Sequence, residues 1–419
     1  MSDGDGLTAD LTSAEHIECP YHLYGRLHRG DGVAVDPAVG VMVAGYDDIV
    51  ELSKNTSLFS SSISEDGKGP RHMGVGSDPV QPDVEEILAR AHPVVNALFT
   101  ADPPVHTRHR KLISKALSPR RVRELEPRIR EIAADLVESF VAAGEVDLLK
   151  QFAIPLPVTV ISDILGVDRA DMWTFKHWGD LMIAGNIDVL NHERRREVAH
   201  AVVALHEYFV PRIEQRRRQP TGDLLSEMVN AEVDGEGRLT TEELLPIIDQ
   251  VLLAGHETTT NLIGNAMLVL LRDPALMARV RGEPALIETF LEEVLRFDAP
   301  IQCTYRRATA DTALRGTSVQ RGQMVVPLWA AAGRDPAVFP RPEEFDLDRS
   351  NVRLHMGFGY GPHFCAGAEL ARLEARIAFE TLLARLRAIE LDSEASDLAH
   401  LPSFAARGYR RIVLRFRGS

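Results

Sequence analysis

One stretch of the sequence decides the fold, and it is Phe358-Gly359-Tyr360-Gly361-Pro362-His363-Phe364-Cys365-Ala366-Gly367. Its glycines predict a tight loop, because a residue without a Cβ lets the backbone bend where a side chain would obstruct it. Apolar residues then recur at helical spacing, which predicts an amphipathic helix: Leu370, Leu373, Ile377, Leu383 and Leu386. We therefore expect Cys365 at or just before the N-terminus of a helix.

This position of Cys365 favours a thiolate. Unpaired backbone N–H groups and the helix dipole both stabilise a negative sulfur at a helix N-terminus. A thiolate surrounded by backbone donors suits an axial ligand of haem iron. The alternative is a free buried cysteine beside a glycine-rich turn, which is the commoner situation of an isolated cysteine.

The spacing within the stretch favours the first interpretation. The pattern Phe-Gly-x-Gly-x-His-x-Cys-x-Gly resembles the haem-binding loop of the cytochrome P450 family at every fixed position. The resemblance implies haem b (iron protoporphyrin IX), with Cys365 as its proximal ligand and Phe358 close to the thiolate. It also places Gly359, His363 and Gly367 at the cofactor, with His363 as a partner of a haem propionate.

Composition excludes several other classes. The 419 residues are 45% hydrophobic, which is typical of a globular protein with a large core. Lys plus Arg number 47 and Asp plus Glu 61, so the net charge of −14 argues against a nucleic-acid binder. Cys19, Cys303 and Cys365 offer no disulfide framework, which suits a reducing compartment. Without a signal-peptide pattern or an apolar run of about twenty residues, we expect a cytoplasmic monomer with no membrane anchor.

A second motif lies in a long apolar segment. Thr240-Thr241-Glu242-Glu243 is a capping-box pattern, and we expect a helix from there to about Leu271. Within it, Ala254-Gly255-His256-Glu257-Thr258-Thr259 places a glycine and an acid where neither is favourable, which marks a functional candidate.

The same segment resembles the acid–alcohol pair of the family, with Glu257 as the acid and Thr258 as the alcohol, and with Ala254 and Gly255 against the cofactor. Threonine hydroxyls that bond the preceding turn would give a purely structural kink instead. A zinc-protease motif is excluded, because position 260 is Thr and not His.

Three weaker patterns resemble the family in order. Glu293-Val294-Leu295-Arg296 is an ordinary helical pair by itself, but it resembles the Glu-x-x-Arg motif, with Arg349 as a candidate third member. Asp102-Pro103-Pro104 begins a predicted helix whose His106 and Arg110 resemble partners of the haem propionates; the alternative is a solvated basic helix. Arg306 resembles the strand arginine with the same role, although Arg307 next to it leaves open which one points inward.

The fold that the resemblance implies is mainly α with small β-sheets (α+β), in a single cytochrome P450 domain. We predict a disordered N-terminus over residues 1–15 and the domain over 16–419. Residues 60–82 are rich in Ser, Gly, Asp and Pro and predict a long loop. Helices over 175–186 and 193–218 correspond to the family's mobile lid, and 404–416 predicts a hairpin with its tip at 403–405.

The implied function is that of a haem-thiolate monooxygenase that inserts one oxygen atom from O2 into a hydrophobic small molecule of secondary metabolism. The sequence has no flavin or iron–sulfur motif, so electrons from NAD(P)H would come through a ferredoxin and a ferredoxin reductase. The alternatives are a non-catalytic haem-thiolate binding or recruitment domain and a peroxide-driven peroxygenase.

A basic stripe is the predicted docking surface for an acidic ferredoxin. Its members are Arg108, Lys111 and Lys115 on the predicted helix after Pro104, extended by Arg372 and Arg376 after Cys365.

Overall fold

A computed structural model describes residues 9–62, 80–187, 190–232 and 237–418. The predicted loop over 60–82 lies mostly outside these residues, as do positions 1–8 of the predicted disordered N-terminus. Residues 9–15 are ordered, because Ala9 donates a backbone hydrogen bond to Val35 and the first helix begins at Ala14. Disorder was therefore the wrong expectation for residues 9–15.

Helices dominate the described residues. They are α1 Ala14–Glu18, α2 Tyr21–Arg29, α3 Tyr46–Lys54, α4 Pro82–Leu88, α5 Val105–Ala116, α6 Pro119–Val141, α7 Pro155–Leu165, α8 Met172–Ile187, α9 His192–Arg218, α10 Leu224–Asn230, α11 Thr241–Arg272, α12 Pro274–Gly282, α13 Leu286–Phe297, α14 Trp329–Ala332 and α15 Ala368–Arg385. In the part of the chain that is described, no helix combines the length and the apolar character needed to cross a bilayer.

The strands are short. They are β1 Val33–Asp36, β2 Gly40–Val43, β3 Phe59–Ser60, β4 Glu145–Asp147, β5 Arg306–Ala308, β6 Thr312–Leu314, β7 Thr317–Val319, β8 Met324–Pro327, β9 Leu386–Leu391, β10 Asp397–His400, β11 Tyr409–Arg411 and β12 Val413–Gly418. The largest sheet has the order β1-β2-β8-β5-β3, and β4-β12-β9, β10-β11 and β6-β7 form smaller ones. The predicted fold class, mainly α with small sheets, is confirmed.

The chain gathers into two compact units. The first unit consists of Met1–Phe59, Val122–Pro157 and Glu257–Ser419, and the second of Ser60–Arg121 and Val158–His256. The predicted domain boundaries, 1–15 and 16–419, stay a prediction.

The core of the first unit forms where the largest sheet meets α3. Val33, Val41 and Val43 project from the paired strands β1 and β2 and pack with Ile49 and Leu52 of α3. β-branched residues suit a pleated, buried surface, and the 3.6-residue period of α3 brings its apolar side chains to one face. This packing anchors the sheet that carries Arg306 on β5.

In the second unit, helices pack on helices. Val84 of α4, Leu181 of α8 and Val198 of α9 belong to one buried cluster. Asn191 caps α9, since its side chain accepts a hydrogen bond from the backbone N–H of Arg194. The two long helices predicted over 175–186 and 193–218 are α8 and α9, so their positions are confirmed.

The predicted C-terminal hairpin over 404–416 is wrong in its pairing. The strand β11 pairs antiparallel with the preceding strand β10, while β12 pairs with β9 and β4. Residues 403–405 lie in the connection between β10 and β11, so they are in a loop as predicted but not at the tip of the predicted hairpin. The alternation of apolar residues predicts that strands form here. It does not predict their partners, because these strands pair with segments outside the predicted hairpin.

Glu374 is a buried acid whose surroundings favour its protonated form. Glu374 on α15 is 1% exposed, and its Oε2 has no hydrogen-bond partner among the described residues. Burial raises the pKa of Glu374 to about 8, although a hydrogen bond with the Thr259 side chain opposes the shift. A carboxyl in such surroundings is mostly neutral at neutral pH, because desolvation disfavours its charged form.

We predict that Glu374→Gln stabilises the protein at alkaline pH. Below the ordinary value of 4.5 the carboxyl is protonated in both the folded and the unfolded chain, and the folded state is penalised as the pH rises towards about 8. Urea unfolding should show a gain on the order of a few kcal/mol near pH 9 and little change near pH 5. Glu380→Gln, on the same helix but partly exposed, should show no gain that grows with pH. An equal effect of Glu374→Gln at both pH values would contradict the proposed protonation.

Candidate active site

The cysteine loop is a compact, hydrogen-bonded turn. The Cys365 N–H donates to Phe358 O at 2.9 Å, and the Gly359 N–H donates to Met356 O at 2.8 Å. The helix α15 begins at Ala368, three residues after Cys365. The predicted position of Cys365 just before a helix is therefore confirmed.

Two glycines of this loop have backbone conformations that other residues rarely adopt. Gly359 has φ +72° and Gly361 has φ +75°. A Cβ on Gly361 would also lie 3.1 Å from Ser53 O, so the loop approaches α3 closely there. Side chains at either position would strain the turn that carries Cys365.

The three cysteines differ in their fitness as thiolate donors. Cys303 is 2% exposed, and burial raises its pKa to about 12, which keeps it a neutral thiol. Cys19 follows the short helix α1 at its C-terminal end, where the helix dipole disfavours a negative charge. Cys365 is partly exposed and precedes a helix N-terminus. The donor chemistry therefore fits Cys365 as the residue that holds an iron cofactor.

Glu293 and Arg296 form a fully buried pair on α13. Arg296 Nη2 and Nε donate to the two carboxylate oxygens of Glu293 at 2.7 and 2.8 Å. Arg349 Nε donates to Glu293 at 3.1 Å, and the Asp346 N–H donates to it at 2.9 Å. Arg296 also donates to three carbonyl oxygens, those of Gly333, Pro342 and Glu344. The predicted triad is thus in contact, and it braces residues 333–349 of the chain.

The residue before Glu293 has a role that sequence reasoning missed. Glu292 is 2% exposed, and its oxygens accept from Arg372 Nε at 2.6 Å and Nη2 at 3.2 Å, and lie 3.1 Å from His355 Nε2. Although burial opposes the shift, hydrogen bonds from His355 and Arg372 lower the pKa of Glu292 to about 2. The only sequence signal was a second acid beside the Glu-x-x-Arg motif.

The middle of α11 is accessible, between two buried stretches of the same helix. Ala254 is exposed and Gly255 partly exposed, whereas Leu252, two residues earlier, is buried. A Cβ on Gly255 would lie 3.0 Å from Ile161, so the helix approaches α7 closely at this point. Small residues at 254 and 255 leave accessible space beside the backbone, as a flat cofactor or an apolar substrate needs.

His256 links α11 to α8 within the second unit. Its Nδ1 lies 2.9 Å from Leu252 O and its Nε2 3.4 Å from an oxygen of Asp180, which also bonds Lys176. Although burial opposes the shift, hydrogen bonds from His256 and Lys176 lower the pKa of Asp180. Gly179 makes room for the ring, since a Cβ there would lie 2.7 Å from His256 Cε1.

In the first unit, α11 continues with the predicted acid–alcohol pair. Glu257 and Thr258 are each partly exposed, and Thr259 and Thr260 after them are buried. The Thr260 hydroxyl donates a hydrogen bond to Ala153 O at 2.9 Å, which is a structural contact. Thr258 is therefore the more accessible hydroxyl of the three.

The predicted propionate partners are placed as follows. His106 is buried on α5, and Arg110 is partly buried one turn later. Arg306 on β5 is 6% exposed, whereas Arg307 is less buried, which favours Arg306 as the inward residue. His363 lies in the short 3₁₀ turn before Cys365.

Three of the five members of the predicted basic stripe form ion pairs. Arg108 donates to Glu243 at 2.6 Å with an 18% exposed side chain. Arg372 is bound to Glu292, and Arg376 forms ion pairs with acids of other helices, Glu126 among them. These three arginines are therefore paired within the protein, whereas Lys111 and Lys115 are exposed, and the predicted docking surface stays a prediction.

Comparisons with known proteins agree with this geometry. The sequence profile described as Cytochrome P450 matches residues 158–405. The chain is 35% identical to cytochrome P450 109 of Bacillus spizizenii over 412 residues, which cover 97% of this chain and 94% of that protein. It is 37% identical to 6-deoxyerythronolide B hydroxylase of Saccharopolyspora erythraea over 319 residues, 76% of this chain and 78% of that protein. The structure of cytochrome P450 CYP109Q5 from Chondromyces apiculatus superposes with a TM-score of 0.85 at 34% identity, covering 98% and 99% of the two chains.

We predict that Glu293→Gln destabilises the fold by about 3–5 kcal/mol, because it leaves two buried arginines without their counterion. Urea unfolding measures the loss. Glu288→Gln is the matched control on α13, since its side chain is 63% exposed and should cost less than about 1 kcal/mol. Similar losses in the two variants would show that the buried pair contributes no more to the free energy of unfolding than an exposed acid does.

Proposed function

Because this chain belongs to the cytochrome P450 family, and is therefore a haem b monooxygenase, we propose that it inserts one oxygen atom from O2 into a bulky hydrophobic molecule. The products are a hydroxylated or epoxidised substrate and water. The observation that carries the proposal is Cys365, a partly exposed thiol in a glycine turn just before α15.

Cys365 would be the axial ligand of the haem iron. When bound, haem b supplies the activation of O2, and an axial thiolate favours cleavage of the O–O bond by donating electron density. Phe358 would lie close to the thiolate, and Gly359 and Gly367 would let the backbone approach the cofactor. The Cys365 N–H is already committed to Phe358 O, which fixes the orientation of the loop.

The propionates of the cofactor would be bound by the two histidines and two arginines predicted for them: His106, Arg110, Arg306 and His363. The burial of His106 and Arg306 supports this assignment, because it places both side chains inside the protein, where a bound cofactor would lie. Ala254 and Gly255 would also contact the cofactor, and the exposure of Ala254 leaves room beside α11.

Glu257 and Thr258 would handle protons. O2 chemistry needs two protons delivered inward while bulk water stays out. We assign the Thr258 hydroxyl to holding a water or oxygen atom by hydrogen bonds, and the Glu257 carboxylate to relaying protons towards it. The partial exposure of both side chains, next to the accessible Ala254, supports these roles.

The electrons would come from NAD(P)H through a ferredoxin and its reductase. The sequence holds no flavin or iron–sulfur motif, so another protein must carry them. Arg372 and Arg376 form ion pairs within the protein, so we do not include them in the proposed docking surface for the ferredoxin.

The substrate is proposed to be large and apolar. One relative is named 6-deoxyerythronolide B hydroxylase, and this name supports a large hydrophobic substrate. A compound library can be screened for ligands that displace the axial water and shift the haem Soret band. Binding confined to small charged molecules would argue against the proposed class.

Two alternatives are separated by one comparison of turnover. The enzyme is supplied either with NADPH, ferredoxin and reductase, or with peroxide alone. We expect the ferredoxin system to give the faster turnover, because a peroxide-driven enzyme does not need the Glu257-Thr258 pair. Turnover with peroxide alone would indicate a peroxygenase, and no turnover by the haem-loaded protein would indicate a binding domain.

We predict that Cys365→Ala abolishes the red-shifted absorption band of the reduced carbon monoxide complex, together with oxygenase activity, because the thiolate ligand is lost. Difference spectroscopy measures the band. Cys303→Ala should keep it, since that buried thiol is neutral. Survival of the band in Cys365→Ala would transfer the ligand to another cysteine and overturn the assignment.

We predict that Thr258→Ala still binds haem and substrate but forms about tenfold less product per NAD(P)H consumed, releasing peroxide instead. Peroxide and product are quantified in the same reaction. Thr260→Ala should stay coupled, because its hydroxyl serves Ala153 O. Glu257→Gln should slow the whole cycle, since proton delivery is impaired. Normal coupling in Thr258→Ala would reduce this residue to a structural one.

A further inference from the structure

The Phe358 ring is enclosed by charged and aromatic groups. The Arg372 guanidinium lies over it, with Cζ 4.6 Å from the ring centroid. The His355 ring lies 6.0 Å away and the Phe364 ring 6.2 Å away, centroid to centroid. A cation this close to an aromatic face is attracted by the ring's electron density and restricts its rotation.

The backbone on both sides of Phe358 is held by the same cluster. The Gly357 N–H donates to His355 Nδ1 at 3.0 Å, while His355 Nε2 faces Glu292 at 3.1 Å. A neutral imidazole satisfies both contacts, since Nδ1 accepts and Nε2 donates. On the other side, Phe358 O accepts the Cys365 N–H. Glu292 is thus connected to the cysteine through the backbone of the loop and through the Phe358 ring.

We propose that Glu292 and Arg372 are positioning residues of the cysteine ligand, which hold Phe358 in place and set the electrostatic potential at the Cys365 sulfur. The inference rests on the proposed ligation of haem iron by Cys365. Arg372, which the sequence analysis placed in the docking surface, is here assigned a role beside the cysteine loop.

The charges support the proposal. Although burial opposes the shift, the hydrogen bond and charge of Glu292, with the charges of Glu369 and Cys365, raise the pKa of Arg372. The Arg372 guanidinium lies over the ring of Phe358, and Phe358 O accepts the Cys365 N–H, so the cation lies beside the cysteine loop. Glu292 partly neutralises the Arg372 cation, so that removal of either charge changes the net charge beside the cysteine loop by one unit.

This arrangement predicts opposite effects of two isosteric changes on the ferric–ferrous equilibrium. Arg372→Gln leaves the negative Glu292, which favours the ferric state, and Glu292→Gln leaves the positive Arg372, which favours the ferrous state. Each should shift the equilibrium constant by about tenfold, or about 59 mV for a one-electron couple. The double variant should return towards the parent. A loss of packing alone would not shift the reduction potential in opposite directions in the two variants.

The potential is measured by dithionite titration with mediators, without any partner protein, so that docking cannot contribute. Only the haem-loaded fraction is analysed, and the red-shifted band of its carbon monoxide complex is recorded. Arg372→Lys keeps the charge and should keep the potential close to that of the parent. If Arg372→Gln fails to load haem, Glu292→Gln and Arg372→Lys still test the sign.

Arg376→Gln is the matched control. It removes the same charge one helical turn further along α15, where Arg376 pairs with Glu126, Glu288 and Glu380 instead of facing Phe358. Shifts of the same sign in both test variants, or shifts no larger than in this control, would overturn the inference. A parent protein without the red-shifted band would instead refute the Cys365 ligation itself, so the two failures are distinguishable.

Discussion

Two adjacent buried carboxylates on α13 hold the cysteine segment in place. A carboxylate removed from water is costly unless cations and hydrogen-bond donors surround it. Glu293 gathers Arg296 and Arg349 and braces the chain from 333 to 349, while Glu292 gathers Arg372 and His355 around the loop that leads to Cys365. Because consecutive helical residues point about 100° apart, one turn of α13 fixes two different segments at once.

The protonation of buried acids in the first unit follows from their partners. Glu292 and Glu374 are almost equally buried, at 2% and 1% exposure. The pKa of Glu292 is lowered to about 2 because, despite burial, His355 and Arg372 donate to it, whereas burial raises the pKa of Glu374 to about 8 with only the Thr259 side chain as an opposing partner. The same side chain is therefore an anion that organises a loop in one place and a neutral acid in the other.

The sequence predicted those features that depend on local spacing. Cys365 before α15, the Glu293–Arg296 pair and the positions of α8 and α9 follow from motifs and helical periodicity. The role of Glu292 could not be predicted, because its partner Arg372 lies 80 residues away and only tertiary packing brings them together. The ion pairs of Arg108, Arg372 and Arg376 could not be predicted for the same reason: periodicity places an arginine on a helix face, but it does not identify the acid opposite. The pairing of β10 with β11 was likewise set by chain outside the predicted hairpin.

Two mid-helix glycines show how a functional signal and a packing constraint coincide. A glycine within a helix costs about 1 kcal/mol relative to alanine, so it persists where a Cβ would do more harm. Gly255 has Ile161 against it, and Gly179 has the His256 ring against it, at Cβ distances of 3.0 and 2.7 Å. Each therefore has a steric reason within the second unit that needs no cofactor. The functional weight of this segment consequently rests on the accessibility of Ala254 and Thr258 and on the chemistry of their side chains, and not on the glycine that first drew attention to it.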